Sequence, residues 1–126
     1  MRIFKSKKFA KIARKERIAD TKLCEAIDAA EQGNIDADYG GGVIKQRIAR
    51  EGGGKSGGYR AIILFRRGEL SFFVHSFAKS DQANISDTEE RNFKALAEVL
   101  LASTDEDLNN LVQADEFSEV TCHEQE

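Results

Sequence analysis

Between Arg47 and Arg60 the sequence reads Arg-Ile-Ala-Arg-Glu-Gly-Gly-Gly-Lys-Ser-Gly-Gly-Tyr-Arg, and Lys45 stands two residues before it. Five of the ten glycines and four Lys or Arg residues fall in this stretch. Fixed cations beside residues that let a backbone approach closely suit an anion, above all a phosphate. Three readings are open: a nucleotide, an RNA backbone, or ordinary solvated charges with no ligand.

Gly54-Lys55-Ser56 invites a phosphate-loop reading. That motif needs a further glycine five residues before Gly54, where Ala49 stands. It also needs a helix after the loop, so that the helix N-terminus faces the phosphates. Tyr59 to Arg66 is aromatic and β-branched, which predicts a strand. Both requirements fail. The second reading is a hairpin. Val43 to Ala49 alternates, with Val43, Lys45 and Arg47 on one face and Ile44, Gln46 and Ile48 on the other. Arg60, on the next strand, can share the cationic face. Such a row suits a phosphodiester chain. Tyr59, Phe73 and His75 can add stacking for unpaired bases. The same residues also fit a solvated hairpin with a packed strand histidine.

The elements that must position these groups follow from periodicity. Ile3 and Phe4 predict a short first strand, and Ser6 an N-cap for a basic helix over Lys7 to Arg17. Asp20 is expected to cap a second helix, Thr21 to Gln32, ended by Gly33-Asn34. Ile35 to Gly42 reads as a loop. Strands are expected over Val43 to Ala49, Tyr59 to Arg66 and Leu70 to Phe77, the last two joined by a turn at Arg67-Gly68-Glu69. In the last strand, alternation groups Phe73, His75 and Phe77 on one face and Leu70, Phe72 and Val74 on the other. Ser86-Asp-Thr-Glu89 has capping-box spacing, and Phe93, Leu96, Ala97, Leu100 and Leu101 form the stripe of the helix it opens. Leu108, Leu111 and Val112 suggest another amphipathic turn or two, and Phe117 to Thr121 a short edge strand or a disordered end. Helices segregated from a strand meander give an α+β fold.

At 126 residues the chain is expected to hold one core, with residues 103–126 as an acidic, partly flexible C-terminal extension to a domain over 1–102. The net charge of −3 hides a split: residues 1–80 hold 17 Lys or Arg against 9 Asp or Glu, and residues 81–126 hold 2 against 13. That asymmetry fits a basic working surface for an anionic partner, or two solvated faces of opposite sign. For the tail from Asp105, two readings stay open: it folds over the basic cleft, or it is a solvated helix end and a frayed terminus. Cys24 and Cys122 make no disulfide framework, and Cys24 is expected to be a small core residue. Cys122-His123 lacks the paired ligand clusters of a zinc site. With no secretory leader and no long apolar run, the expectation is a soluble cytoplasmic protein that needs no cofactor or metal.

Gly40 to Leu101 resembles toxins of the RelE/ParE/HigB superfamily of type II toxin–antitoxin systems. The resemblance rests on Lys45-Gln-Arg47-Ile-Ala-Arg50, on Gly52-Gly-Gly-Lys55-Ser-Gly-Gly-Tyr-Arg60, on Phe73-Val-His-Ser-Phe77-Ala-Lys79, and on Ser86-Asp-Thr-Glu89. It implies a twisted antiparallel sheet with an N-terminal helix pair and a C-terminal helix. RelE-like members cut mRNA in the ribosomal A site, by attack of a ribose 2′-OH on the adjacent phosphate. ParE-like members poison DNA gyrase with the same fold, and a relative that only binds a partner is a further alternative.

Position by position, Arg60 matches the family arginine at the scissile phosphate. Lys45 and Arg47 resemble the pair that orients substrate or takes a proton. Lys79 falls where the family has a basic residue across the cleft. Lys55 belongs to the subgroup motif and, with Arg50 and Tyr59, is expected to bind RNA. RelE itself has a tyrosine just beyond the last strand, where Ala83, Asn84 and Ile85 stand here. HigB-like members use histidines, and His75 is the candidate. The partners implied are a cognate antitoxin protein, the ribosome and mRNA, with no membrane and with the free toxin a monomer.

Overall fold

In the computed structural model, which describes residues 1–48, 58–78 and 82–122, Ser6 ends one element and starts the next. Strand β1 runs Arg2–Ser6 and helix α1 Lys7–Glu16. The Phe9 N–H donates to Ser6 Oγ at 3.0 Å, the bond expected of an N-cap. Helix α2 spans Asp20–Glu31. Asp20 is its first residue rather than its cap. Ala19 holds the cap position without a side-chain bond, and Lys5 Nζ donates to the Asp20 carboxylate at 2.8 Å. Gly33 follows the helix end at φ +90°, a conformation glycine adopts without strain.

The segment expected as a loop contains strand β2, Ala37–Gly40. Its composition hides it, because Asp38 and Gly40 are poor strand formers and the strand is only four residues long. Tertiary pairing makes it, with Ala37 opposite Lys45 and Asp38 opposite Ile44 of β3, Val43–Ile48. Gly42 closes this hairpin at φ +84°, where an added Cβ would stand 2.7 Å from Leu101 Cδ1. Strands β4, Tyr59–Arg66, and β5, Leu70–Ala78, follow as expected. The turn between them has Gly68 at φ +75°.

The described strands form one sheet in the order β2-β3-β4-β5-β1-β6, with β6 at Phe117–Val120. The meander β2 to β5 is antiparallel, β1 joins β5 in parallel, and β6 returns antiparallel to β1. The fold is therefore α+β, with a mostly antiparallel sheet. Helices α1 and α2 cover one face, where Phe9, Leu23, Ile27, Ile48, Ile63 and Phe73 form a core. Helices α3, Asp87–Leu100, and α4, Asp105–Gln113, cover the other, where Phe4, Val43, Ile62, Leu64 and Phe72 of the sheet form a second core with Leu108 of α4. Strand β4 is apolar on both faces because it is covered on both.

The capping box of α3 forms in full: Glu89 N–H donates to Ser86 Oγ at 3.1 Å and Ser86 N–H to Glu89 Oε1 at 2.8 Å. Its buried stripe is narrower than the spacing suggests. Ala97, Leu100 and Leu101 are buried, whereas Leu96 is 39% exposed. The helix packs on β3 and β4 near the sheet's edge, which leaves the flank with Leu96 and Val99 uncovered. Lys94 and Glu90 pair at 2.9 Å, four residues apart on one side of the helix, with the Lys94 stem against Gly41.

The cysteines overturn their expectation. Cys24 is a buried core residue, but it is bonded to Cys122. Spacing of 98 residues gives no hint of proximity. The return of β6 beside β1 carries the chain back toward α2 and brings the two Cα atoms to 5.7 Å. Closing so long a loop restricts the unfolded chain. We predict that reduction, or Cys122→Ser, lowers unfolding free energy by about 2–4 kcal/mol, measured by urea unfolding with and without reductant.

Candidate functional site

Directly opposite residues of an antiparallel pair share a face. Arg47 stands opposite Arg60, and Lys45 opposite Ile62. Lys45, Arg47 and Arg60 therefore share one face, the one also occupied by α3, as the alternation of β3 implies. The same register puts Gln46 opposite Ala61 and Ile48 opposite Tyr59 on the other face. Tyr59 and Phe73 are buried there in the core under α1 and α2, at 7% and 0% exposure. As placed, neither presents a ring to a base.

His75 reaches the cationic face through an irregularity. Strict alternation would seat it with Phe73 on the opposite side. The β4–β5 register shifts between Ile62 and Ile63, which pair with His75 and Phe73 and leave Val74 as the extra residue. Such a bulge re-aims the side chains beyond it. His75 and Phe77 thereby join Phe72 and Val74 on the α3 side. The imidazole packs 5.9 Å from the Phe93 ring and 6.0 Å from Phe77.

The cations meet a carboxylate that sequence reasoning passed over. Asp36 Oδ2 lies 3.2 Å from Arg60 Nε and 3.7 Å from Lys45 Nζ. The Arg60 and Lys45 side chains are 11% and 12% exposed, and that of Asp36 34%. A guanidinium so sheltered needs a charge partner. Arg60 Nη1 is buried with no hydrogen-bond partner among the described residues.

Gln46 delivers Asp36. Its Nε2 donates to the carbonyls of Ala26 at 3.0 Å and Asn34 at 3.1 Å, and its Oε1 accepts from Asp36 N–H at 2.9 Å. Only 3% exposed, this amide ties α2 to the entry of β2. A glutamine between Ile44 and Ile48 on an inward face was the legible sign of such a lock. The far wall is the stretch before α3. Lys45 Nζ donates to Ala83 O at 3.4 Å, and the Tyr39 hydroxyl donates to Asn84 Oδ1. A tyrosine thus reaches the Ala83 to Ile85 neighbourhood from β2, not from the end of β5.

Arg50, Lys55, Lys79 and the glycines from Gly52 to Gly57 lie outside the described residues. Among the described residues, no acidic residue beyond 103 pairs with this face. Asp105 and Glu119 bind Arg2, and Asp115 faces Lys7 at 3.6 Å, by strands at the sheet's other end.

Arg60, Lys45 and Arg47 are gathered on one face, a set of charges that suits a phosphate, and His75 lies on the same face. Burial pushes His75 below its ordinary pKa, Lys8 adds to this, and Glu89 opposes it. His75 therefore binds its proton less readily folded than unfolded, and stability must fall as pH drops through the range between the two pKa values. Urea unfolding at pH 7 and pH 5 checks this. His75→Phe should shrink the loss at pH 5 relative to wild type; an equal loss contradicts it.

Among the described residues, no helix is long and apolar enough to cross a membrane. No curated protein matches the sequence. A family model described as the RelE toxin of the RelE/RelB toxin–antitoxin system matches residues 1–120. The meander, the shared cationic face and a match over nearly the whole chain agree: this protein belongs to the RelE toxin family of toxin–antitoxin systems.

Proposed function

We propose that this toxin is a ribosome-dependent mRNA endoribonuclease. The observation that carries the reading is Arg60, sheltered in the sheet, held at Nε by Asp36 and sharing one face with Lys45 and Arg47. A guanidinium so placed suits the charge that develops on a phosphorane. In the reaction the ribose O2′ forms a bond to the adjacent phosphorus and the bond from phosphorus to O5′ breaks. The products are a 2′,3′-cyclic phosphate and a 5′-hydroxyl. The 2′-OH gives up a proton, and the leaving oxygen takes one.

Arg60 stabilises the pentacoordinate phosphate, and Lys45 and Arg47 align the strand beside it. His75 is the candidate proton acceptor, because its lowered pKa favours the unprotonated imidazole that can take a proton. Lys55, Lys79 and Arg50 bind backbone phosphates on this reading. The partners are the translating ribosome with its mRNA, and an antitoxin that covers the cationic face. The site of action is the cytoplasm, and the free toxin is a monomer.

Induction of wild type should stop growth and produce new mRNA 5′ ends within open reading frames, mapped by primer extension. Arg60→Ala should lower cleavage about 10²–10³-fold and relieve the arrest at equal protein level. Full toxicity of that variant contradicts the site assignment. Arrest with no new 5′ ends favours a toxin that only binds, and a DNA-damage response without translation arrest favours gyrase as the target.

A further inference from the structure

Asp36 stands where a substrate phosphate would compete with it, and its contacts decide whether it obstructs or assists. Its carboxylate meets Arg60 at Nε, with the same oxygen 3.7 Å from Lys45 Nζ. A guanidinium has two edges that can engage an oxyanion, one of which includes Nε and the other both terminal nitrogens. Asp36 engages Nε, while Nη1 stays buried and without a hydrogen-bond partner among the described residues. Asp36 is itself anchored, since Gln46 binds its backbone N–H and the Ala26 and Asn34 carbonyls. A continuous chain therefore runs from α2 through Gln46 and Asp36 to the guanidinium.

We propose that Asp36 is a positioning residue for phosphodiester cleavage: it fixes the plane of Arg60 through Nε and so presets the guanidinium for the scissile phosphate. This rests on the endoribonuclease reading above. Asp36 also offsets the repulsion between Arg60 and Lys45, which must stay close together before substrate arrives. Its charge opposes RNA binding in general, because it subtracts from a cationic face. A positioning role and a merely competing one therefore predict opposite effects on cleavage when the charge is removed.

The test compares wild type, Asp36→Asn and Asp36→Glu, each with its melting temperature. The readouts are affinity for mRNA-programmed ribosomes, single-turnover cleavage at saturating toxin, and hydrogen exchange at the Arg60 Nε–H signal by 15N NMR. Asp36→Asn should bind as tightly as wild type or tighter, cleave about 10- to 100-fold more slowly, and lose protection at Arg60 Nε–H. Asp36→Glu should recover much of the rate. Wild-type or faster cleavage by Asp36→Asn overturns the proposal, as does a loss confined to affinity. If wild type itself does not cleave, the endoribonuclease reading falls. The Nε–H protection then decides alone whether Asp36 fixes Arg60, and protection unchanged in Asp36→Asn refutes it.

Discussion

Two arginines face each other across a pair of strands, Arg47 opposite Arg60, with Lys45 two residues along. Like charges directly opposite one another destabilise a sheet. Burying Arg60 among apolar neighbours would compound the cost without a counter-charge. Asp36 supplies that counter-charge, and Gln46 fixes where Asp36 stands. Much of the local architecture follows from this requirement. The entry of β2 is held to α2, a polar amide is buried in an otherwise apolar face of β3, and Lys45 is drawn between Asp36 and the Ala83 carbonyl.

The two helical layers serve the site differently. Helices α1 and α2 fill the face opposite the cations and hold the sheet through Phe9, Leu23 and Ile27. Helix α3 lies on the cationic face itself, its start fixed by the Ser86–Glu89 capping box, and its Phe93 ring packs on His75. The bulge opposite Ile62 and Ile63 is what lets β5 meet both needs. It keeps Phe73 in one core and turns His75 toward the other face. The disulfide fastens the opposite end, joining the segment after β6 to α2. Such bonds are rare in reducing compartments, so at the cytoplasmic site of action proposed above the two cysteines are expected as thiols. The cationic face is built from β2, β3 and β4 and has no covalent dependence on that link.

The strands and helices whose faces are set by local pattern were legible in the sequence. Val43 to Ile48, Tyr59 to Arg66, the Ser6 cap and the Ser86 box each carry their own signal. The shared face of Lys45, Arg47 and Arg60 followed from alternation plus one hairpin. What escaped depends on contacts between distant segments. Strand β2 exists because β3 offers it a ladder, not because Ala-Asp-Tyr-Gly favours extension. A one-residue bulge reverses the face of every residue beyond it, so alternation alone misplaced His75. Asp36 and Tyr39 sit in a segment that reads as loop, and Cys122 meets Cys24 only through the return of β6. The departure noted at Ala83 to Ile85 also acquires a physical form, since Tyr39 arrives there from another strand.

Membership of the RelE toxin family and the geometry of Arg60 are what support the proposed phosphodiester cleavage, and the central claim of that proposal is that the ribose 2′-OH is the nucleophile. The most direct measurement is cleavage of an mRNA on purified ribosomes, carrying a single 2′-deoxy nucleotide on the 5′ side of the mapped scissile bond. The account predicts that this one change abolishes cutting there, while the unmodified mRNA yields a 2′,3′-cyclic phosphate or 3′-phosphate end. Cleavage of the deoxy-substituted mRNA at the same bond would contradict it.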